Sequence, residues 1–565
     1  MSRLDWIVLV GFLAAIVLIG LWKGRGRKDS EGYLLSDRDM RWYTICLSIM
    51  ATQASAITFL STPGQAFADG MRFVQFYLGL PLAMVVLSVT LVPIFHRLKV
   101  YTAYEYLEGR FDAKTRTLAS FLFLTQRGLA VGLTIYAPAM VLSVLLGWNL
   151  QVNILIIAAL VMIYTVAGGT RAVSWAQSYQ MLIIAVGMVV AGVMVVRQLP
   201  ADVSFADALR VAGAQGRLNA IDTSFDLNNQ FNLWSGLLGG FFLMLSYFGT
   251  DQSQVQRYLT GRTLTQSRLG LLANGLIKVP MQFLILLLGV LVFAFYQFNT
   301  PPLFFNPGPV KEVLRSAEAP AYRQVEGQFQ AAAQERALRA QEFLAARNAK
   351  DGVREATARQ ELQGAQAKVQ ALRNEGVAIL QKAKPGTSAN DTNYVFLSYV
   401  LASLPAGLIG LVLAAVLSAS MSSMSAEINA LGSTTVVDVW RRFVGGTPKQ
   451  ELWVGRLSTL AWGLFAVAFA EYASRLGSLV VAVNILGSLF YGPILGIFVV
   501  AFYLKRVRGG AAFYAAIVAE VGVLVCFFFT KIAFLWYTFI GCALVVAVAW
   551  LISLWKDDGT EPERV

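Results

Sequence analysis

Apolar runs of about 20 residues, the length that crosses a bilayer, recur along nearly the whole chain. Inside hydrocarbon every backbone N–H and C=O needs an internal partner, so such runs fold as helices. Composition agrees. Mean hydropathy is +0.59, and only 14% of residues are charged, where a soluble chain carries roughly 25%. The chain reads as an all-α, multi-pass protein whose main partner is the lipid bilayer. Its net charge of +13 reads as loop arginines and lysines on the cytoplasmic side. No cluster interleaves them with exposed aromatics, which argues against nucleic acid. Cys46, Cys526 and Cys542 all sit in apolar spans, so no disulfide framework is expected. The lone histidine, His96, lies at a helix end beside Arg97 and Lys99, and no His/Cys cluster or Gly-rich phosphate loop is present. An enzyme is not expected, nor any cofactor.

The first span runs from Leu4 to Trp22 and lacks a small-residue cleavage site, so it reads as retained rather than as a signal peptide. The basic run Lys23 to Lys28 follows at once and should be cytoplasmic, which puts the N-terminus outside. Further spans are expected at Trp42 to Thr62, Phe73 to Phe95, Thr117 to Leu145, Gln151 to Val166 and Ala172 to Val196, the last two joined by a tight turn at Gly168–Arg171. Arg197 to Leu233 should lie outside. Trp234 to Thr250 and Leu269 to Tyr296 follow, with Arg257, Arg262 and Arg268 marking a cytoplasmic loop between them. After an insert come Pro405 to Leu431, Val454 to Ala470, Leu479 to Tyr503, Ala511 to Phe529 and Phe534 to Leu554. The total is about thirteen spans. The C-terminus is then inside, in the inner or plasma membrane of a cell.

The insert, Pro301 to Asp391, is rich in Ala, Gln, Glu and Arg. Pro320 and Pro385-Gly386 punctuate its ends and Lys350-Asp351-Gly352 its middle. Two helices of about 30 residues are expected, each reaching roughly 45 Å. Leu362, Ala365, Val369 and Leu372 step by three and four, a thin coiled-coil seam. The expected form is an antiparallel hairpin standing off the membrane on the extracytoplasmic side, open to a partner there. The chain thus divides into residues 1–300, the insert at 301–392, residues 393–555, and a cytoplasmic tail at 556–565.

Two stretches break the apolar pattern. Ala51-Thr52-Gln53-Ala54-Ser55-Ala56 puts small and polar residues in mid-span, with Pro63-Gly64 closing that segment. Polar groups there suit a cavity, where an interrupted helix offers bare carbonyls to an ion. Ala419-Ser420-Met421-Ser422-Ser423-Met424-Ser425 supplies hydroxyls at helical spacing. Carbonyls from a broken helix and hydroxyls from a facing one would suit a hard cation such as sodium; small residues packing against a neighbouring helix is the plainer reading.

At these residues the sequence resembles the solute:sodium symporter family. Further matching pieces are Tyr101–Tyr106, Gly168–Val173, Asp251–Arg257, Met421-Ser422-Ser423, Asp438-Val439-Trp440 and Gly487–Pro493. The resemblance implies a LeuT-like core of two inverted five-helix repeats, each opening with a helix broken at the binding site. It implies a sodium site of the Ala51, Ala54 and Ala419 carbonyls with the Ser422 and Ser423 hydroxyls. Some members hold a second sodium with an aspartate and further serines. Here the aspartate position is Gln177, and Ser425 is followed by Ala426. These read as the remnant of that site, so one sodium per cycle is expected.

Substrate contacts are expected from Gln53, Thr58, Phe73, Tyr77, Tyr247 and Phe248. Tyr77 and Met244 stand where galactose carriers keep a glutamate and an asparagine, which weakens a hexose reading. Lys278 matches a lysine of the sugar carriers. Arg127 lies on the helix where sialic-acid carriers place a carboxylate-binding arginine; snorkelling toward the cytoplasm is its alternative. Glu427 and Glu520 are intramembrane carboxylates without an assigned role. The expected function is sodium-driven import of a small organic solute by alternating access. An organic anion is favoured through Arg127, with a neutral sugar, polyol or amino acid next and a transporter-like receptor as the other class.

Overall fold

The computed structural model describes residues 2–24, 30–473 and 478–555. Most of the basic run after Trp22 and the C-terminal tail from Lys556 lie outside these residues. Among the described residues, 10 helical stretches are long and apolar enough to cross a membrane, and Ser235–Gly249 is a shorter apolar helix. Two of the long stretches hold more than one crossing. Ala56–Leu98 joins the second half of one pass to the whole of the next, with Trp42–Gln53 as the missing first half. Leu150–Arg197 is two passes fused across Gly169. Resolved this way, the crossings come to about thirteen, the expected number.

Gly169 explains the fusion. Its φ of 56° with ψ of −151° is a region only glycine occupies, and an added Cβ would meet the Tyr33 carbonyl oxygen at 2.5 Å. One residue therefore turns the chain back.

Two breaks interrupt other passes. Trp42–Gln53 ends at Ala54 (φ −86°, ψ 74°), Ser55 is extended, and a helix resumes at Ala56 and runs to Asp69. Pro63-Gly64, expected to close this segment, lies inside the helix instead. Its role is packing: an added Cβ on Gly64 would stand 1.8 Å from the Thr392 carbonyl oxygen. The second break separates Gly240–Gly249 from Gln252–Leu259 at Thr250 and Asp251. Asp251 caps the second half by accepting from the Ser253 N–H at 2.9 Å. Arg257, expected to mark a cytoplasmic loop, is fully buried in that half.

The insert forms the expected pair, Ala319–Asn348 and Gly352–Ala383. Leu362, Ala365 and Val369 are buried along the seam, Leu362 in one cluster with Ala340 and Phe343, and Val369 in another with Phe329 and Ala333. The hairpin does not stand free. It lies back on neighbouring helices: Gln363 donates to the carbonyl of Ala214 in Phe205–Ala214 at 2.8 Å, and Arg336 donates to the carbonyl of Tyr296 in Leu264–Phe298. A two-helix seam is too thin to bury its own apolar residues, so the rest of the protein covers them.

Replacing Gly169 by Ala is expected to lower stability by about 1–3 kcal/mol, the cost of a forbidden backbone region. Gly192→Ala is the control, since its added Cβ meets nothing within 4 Å. Thermal unfolding in detergent should separate the two; equal midpoints would refute this role for Gly169.

Candidate functional site

The helix Leu408–Thr434 is buried on every side over most of its length, so its hydroxyls must find partners inside the protein. They find them at the first break. Ser422 Oγ donates to the Ala51 carbonyl, and to the Ala419 carbonyl at 3.1 Å. Ser423 Oγ donates to the Thr52 carbonyl at 2.9 Å and to Ala419 at 3.3 Å. The structure thus gathers Ala51, Ala419, Ser422 and Ser423 within hydrogen-bond reach. Ala54 is the fully buried, non-helical residue of the break, where a carbonyl leaves the helical ladder. Thr52 is an oxygen the sequence reading missed, because which carbonyls a break frees depends on where the helix stops.

Gln177 sits against this group with its amide fully used. Its Nε2 donates to Thr52 Oγ1 and to the Ser422 carbonyl, both at 2.9 Å. Its Oε1 accepts from Ser48 Oγ at 2.5 Å. Ser425 Oγ donates to the Ser422 carbonyl at 3.0 Å.

Beside the break lies a cavity of about 100 Å³. Gln53, Thr58, Tyr77, Arg127 and Tyr247 line it, as expected for substrate contacts. Three expected residues stand behind the wall. Phe73 stacks on Phe76 with centroids 5.5 Å apart, and it is Phe76 that lines the cavity. Phe248 packs edge-on against Tyr247 at 4.9 Å. Lys278 is fully buried, 5.9 Å from the Tyr77 ring, and its Nζ has no hydrogen-bond partner. Asn484, Gln126 and Tyr491 line the cavity without having been singled out. Tyr491 belonged to the Gly487–Pro493 piece, which was the available signal.

Arg127 does not snorkel. It lies in mid-course of Ala113–Leu146 and is 3% exposed. Its Nη1 pairs with Glu427 Oε1 at 3.0 Å, and its Nη2 pairs with Asp251. Tyr491 completes the cluster: its hydroxyl accepts from Arg127 at 2.5 Å and donates to Asp251 Oδ2 at 2.7 Å. The Tyr247 ring lies 5.6 Å from the guanidinium carbon. One guanidinium thus stands between two carboxyl groups beside the cavity. Glu427 is the cavity-lining partner, and its Oε2 has no hydrogen-bond partner, as is true of Gln53 Oε1 and Gln126 Oε1. Glu520, by contrast, has neither carboxylate oxygen paired.

Arg127→Met strips two buried carboxylates of their counter-charge and is expected to cost about 3–5 kcal/mol of stability. Glu427→Gln added to it should recover part of that loss, because one buried charge goes with it. Additive losses in a thermal-unfolding cycle would refute the cluster.

The family model described as the sodium:solute symporter family matches residues 33–321 and 340–519. The chain is 24% identical over 558 residues to a sodium/sialic acid symporter of Proteus mirabilis, covering 96% of this chain and 93% of that one. It is 25% identical over 503 residues to sodium-coupled monocarboxylate transporter 1 of Xenopus laevis, covering 87% and 67%. It is 27% identical over 507 residues to the sodium-dependent multivitamin transporter of Oryctolagus cuniculus, covering 88% of this chain and 66% of that one. It therefore spans about two thirds of the length of these animal relatives. A solved structure of a Na⁺-coupled sialic acid symporter in a substrate-bound outward-open state superposes with a TM-score of 0.77 at 21% identity, covering 99% of both chains. The fold is thus LeuT-like, with a broken helix opening each inverted repeat. The chain belongs to the sodium:solute symporter family and is an integral, multi-pass membrane transporter with sodium as its coupling ion.

Proposed function

We propose that the protein imports a small organic acid with one sodium ion per cycle, across the inner or plasma membrane, with its N-terminus outside and C-terminus in the cytoplasm. The observation that carries the sodium site is the facing of the Ser422 and Ser423 hydroxyls onto main-chain oxygens freed at Ala51–Ala54. All of these donors are oxygens, the set a hard cation takes. A sodium ion bound among them turns the hydroxyl lone pairs toward itself and draws the broken helix to Leu408–Thr434. One ion is favoured because the Gln177 amide N–H already stands among the neighbouring oxygens. A neutral donor does there what a second cation would do.

The substrate reading rests on the cavity. Gln53 and Gln126 offer unpartnered acceptors to hydroxyl or amide groups. Arg127 takes the carboxylate as Glu427 gives up its place. The sialic acid and monocarboxylate relatives support an acid. The second reading, a neutral sugar, polyol or amino acid, is supported by the two carboxylates already on Arg127. The extracytoplasmic partner expected at the insert is not needed to cover it, since apolar residues of the hairpin such as Phe343 and Leu362 are buried in the protein's own core cluster.

Sodium, but not potassium or choline, is expected to stabilise the purified protein by about 2.7 kcal/mol at a hundred times its dissociation constant. The effect should vanish in Ser422→Ala/Ser423→Ala. A double variant that keeps the full sodium response would refute the site. Uptake in vesicles should rise hyperbolically with sodium; a sigmoidal curve would indicate a second ion. Glu427→Gln frees Arg127 and should lower the half-saturating concentration of an acid substrate. An unchanged or higher value would favour the neutral solute.

A further inference from the structure

A second cavity, of about 490 Å³, lies between the hairpin and the outer ends of two core helices. Phe67 and Ala68 bring the first broken helix to its wall, and Phe293 and Tyr296 bring Leu264–Phe298. Three arginines line it, Arg217 from an outer loop and Arg336 and Arg373 from the two arms of the hairpin. Against them stands one lining carboxylate, Asp391, which is committed to Arg373 at 2.5 Å and to the Phe305 N–H at 2.6 Å.

Among the described residues, no carboxylate forms an ion pair with either of the other two guanidiniums. Arg336 is 3% exposed and donates to Gln366 Oε1 at 3.1 Å and to the Tyr296 carbonyl, both neutral acceptors. Arg217 donates to the Ala68 carbonyl and lies 4.8 Å from the Phe293 ring centre. Asp69 shares the field of Arg217, but Arg72 opposes it. The Nε atoms of both Arg217 and Arg336 are buried without a partner. Burial pushes the Arg336 guanidinium down to about 10, and it pushes Arg217 downward as well. Arg336 is a buried cation without a counter-charge, which is costly, and Arg217 has only the partly opposed Asp69; an anion between the two offsets that cost.

We propose that this chamber is a binding site for an organic carboxylate, whose anionic end is held by Arg217 and Arg336 and whose apolar body lies on Phe293 and Phe329. Planar guanidiniums suit a carboxylate, and the aromatic wall suits the carbon body behind it. Thr58 and Phe67 lie on one helix, so the chamber is about 14 Å along that helix from the central cavity. As a first stop for an imported acid it rests on the uptake reading above; as a binding site it does not.

Benzoate and its neutral counterpart benzamide are the probes, with the full-length protein in low-salt, sodium-free buffer. Benzoate should raise the unfolding midpoint and benzamide should not. Arg336→Gln and Arg217→Gln should each weaken the benzoate response roughly tenfold or more, the loss of one charge-assisted contact. Ser422→Ala/Ser423→Ala should respond like wild type. Should an arginine variant fail to fold, phenylglyoxal labelling of wild-type Arg217 and Arg373, read by mass spectrometry, keeps the test open: benzoate should slow it and benzamide should not. Equal effects of the two probes, arginine variants that respond like wild type, or unaltered labelling would overturn the site. A benzoate response without sodium stabilisation would sink only the transport reading, and sodium stabilisation without a benzoate response only the chamber.

Discussion

A helix that stops inside hydrocarbon must hand its freed carbonyls and N–H groups to other polar atoms. That constraint organises this molecule. The first core helix stops at Gln53 and restarts at Ala56, and the hydroxyls of Ser422 and Ser423 meet the oxygens left behind. The serines sit on a helix with no solvent or lipid face along this stretch, so they too depend on the break. Neither element satisfies its polar groups alone. An ion that competes for the same oxygens therefore acts on the distance between two helices.

The same buried helix carries Glu427, one turn beyond Ser423. Glu427 holds Arg127, which also holds Asp251 at the second break. The oxygens at the first break, the central cavity and both broken helices are thus connected through Leu408–Thr434. Coupling needs such a shared element, because an ion can shift only those groups whose arrangement differs between states. Gln177 adds a further tie, joining Ser48 and Thr52 on the broken helix to the Ser422 carbonyl.

Outside the membrane the rules change. The hairpin helices are amphipathic only along a narrow seam, and two such helices cannot bury enough apolar surface by themselves. Their remaining apolar residues settle on Leu303, Phe304 and the outer loops, and three arginines are enclosed with them. The family model passes over residues 322–339, within the first arm. Of the residues lining the chamber, Phe329 and Arg336 fall in that gap.

Much of the fold was legible in the residues because membrane spans follow from length and hydropathy, which are local properties. The hairpin ends, the turn at Gly168–Arg171 and the first broken helix carried local marks of the same kind, whereas the second break was expected only from the family resemblance. Pro63-Gly64 misled because proline and glycine mark both a helix end and a close helix crossing, and only the Thr392 carbonyl packed on Gly64 tells them apart. Side-chain partners were not legible. Arg127, Asp251, Glu427 and Tyr491 are far apart in the chain, and nothing local shows that one cation meets two carboxylates and a phenol. Phe73 and Phe76 differ by one helical turn, yet only the packing decides which ring faces the cavity. The sequence by itself determined where the spans run and marked the break in the first core helix, because both follow from local composition. The tertiary structure alone decided which charges are spent on each other and which are left for a ligand, since pairing depends on distances that no local pattern encodes.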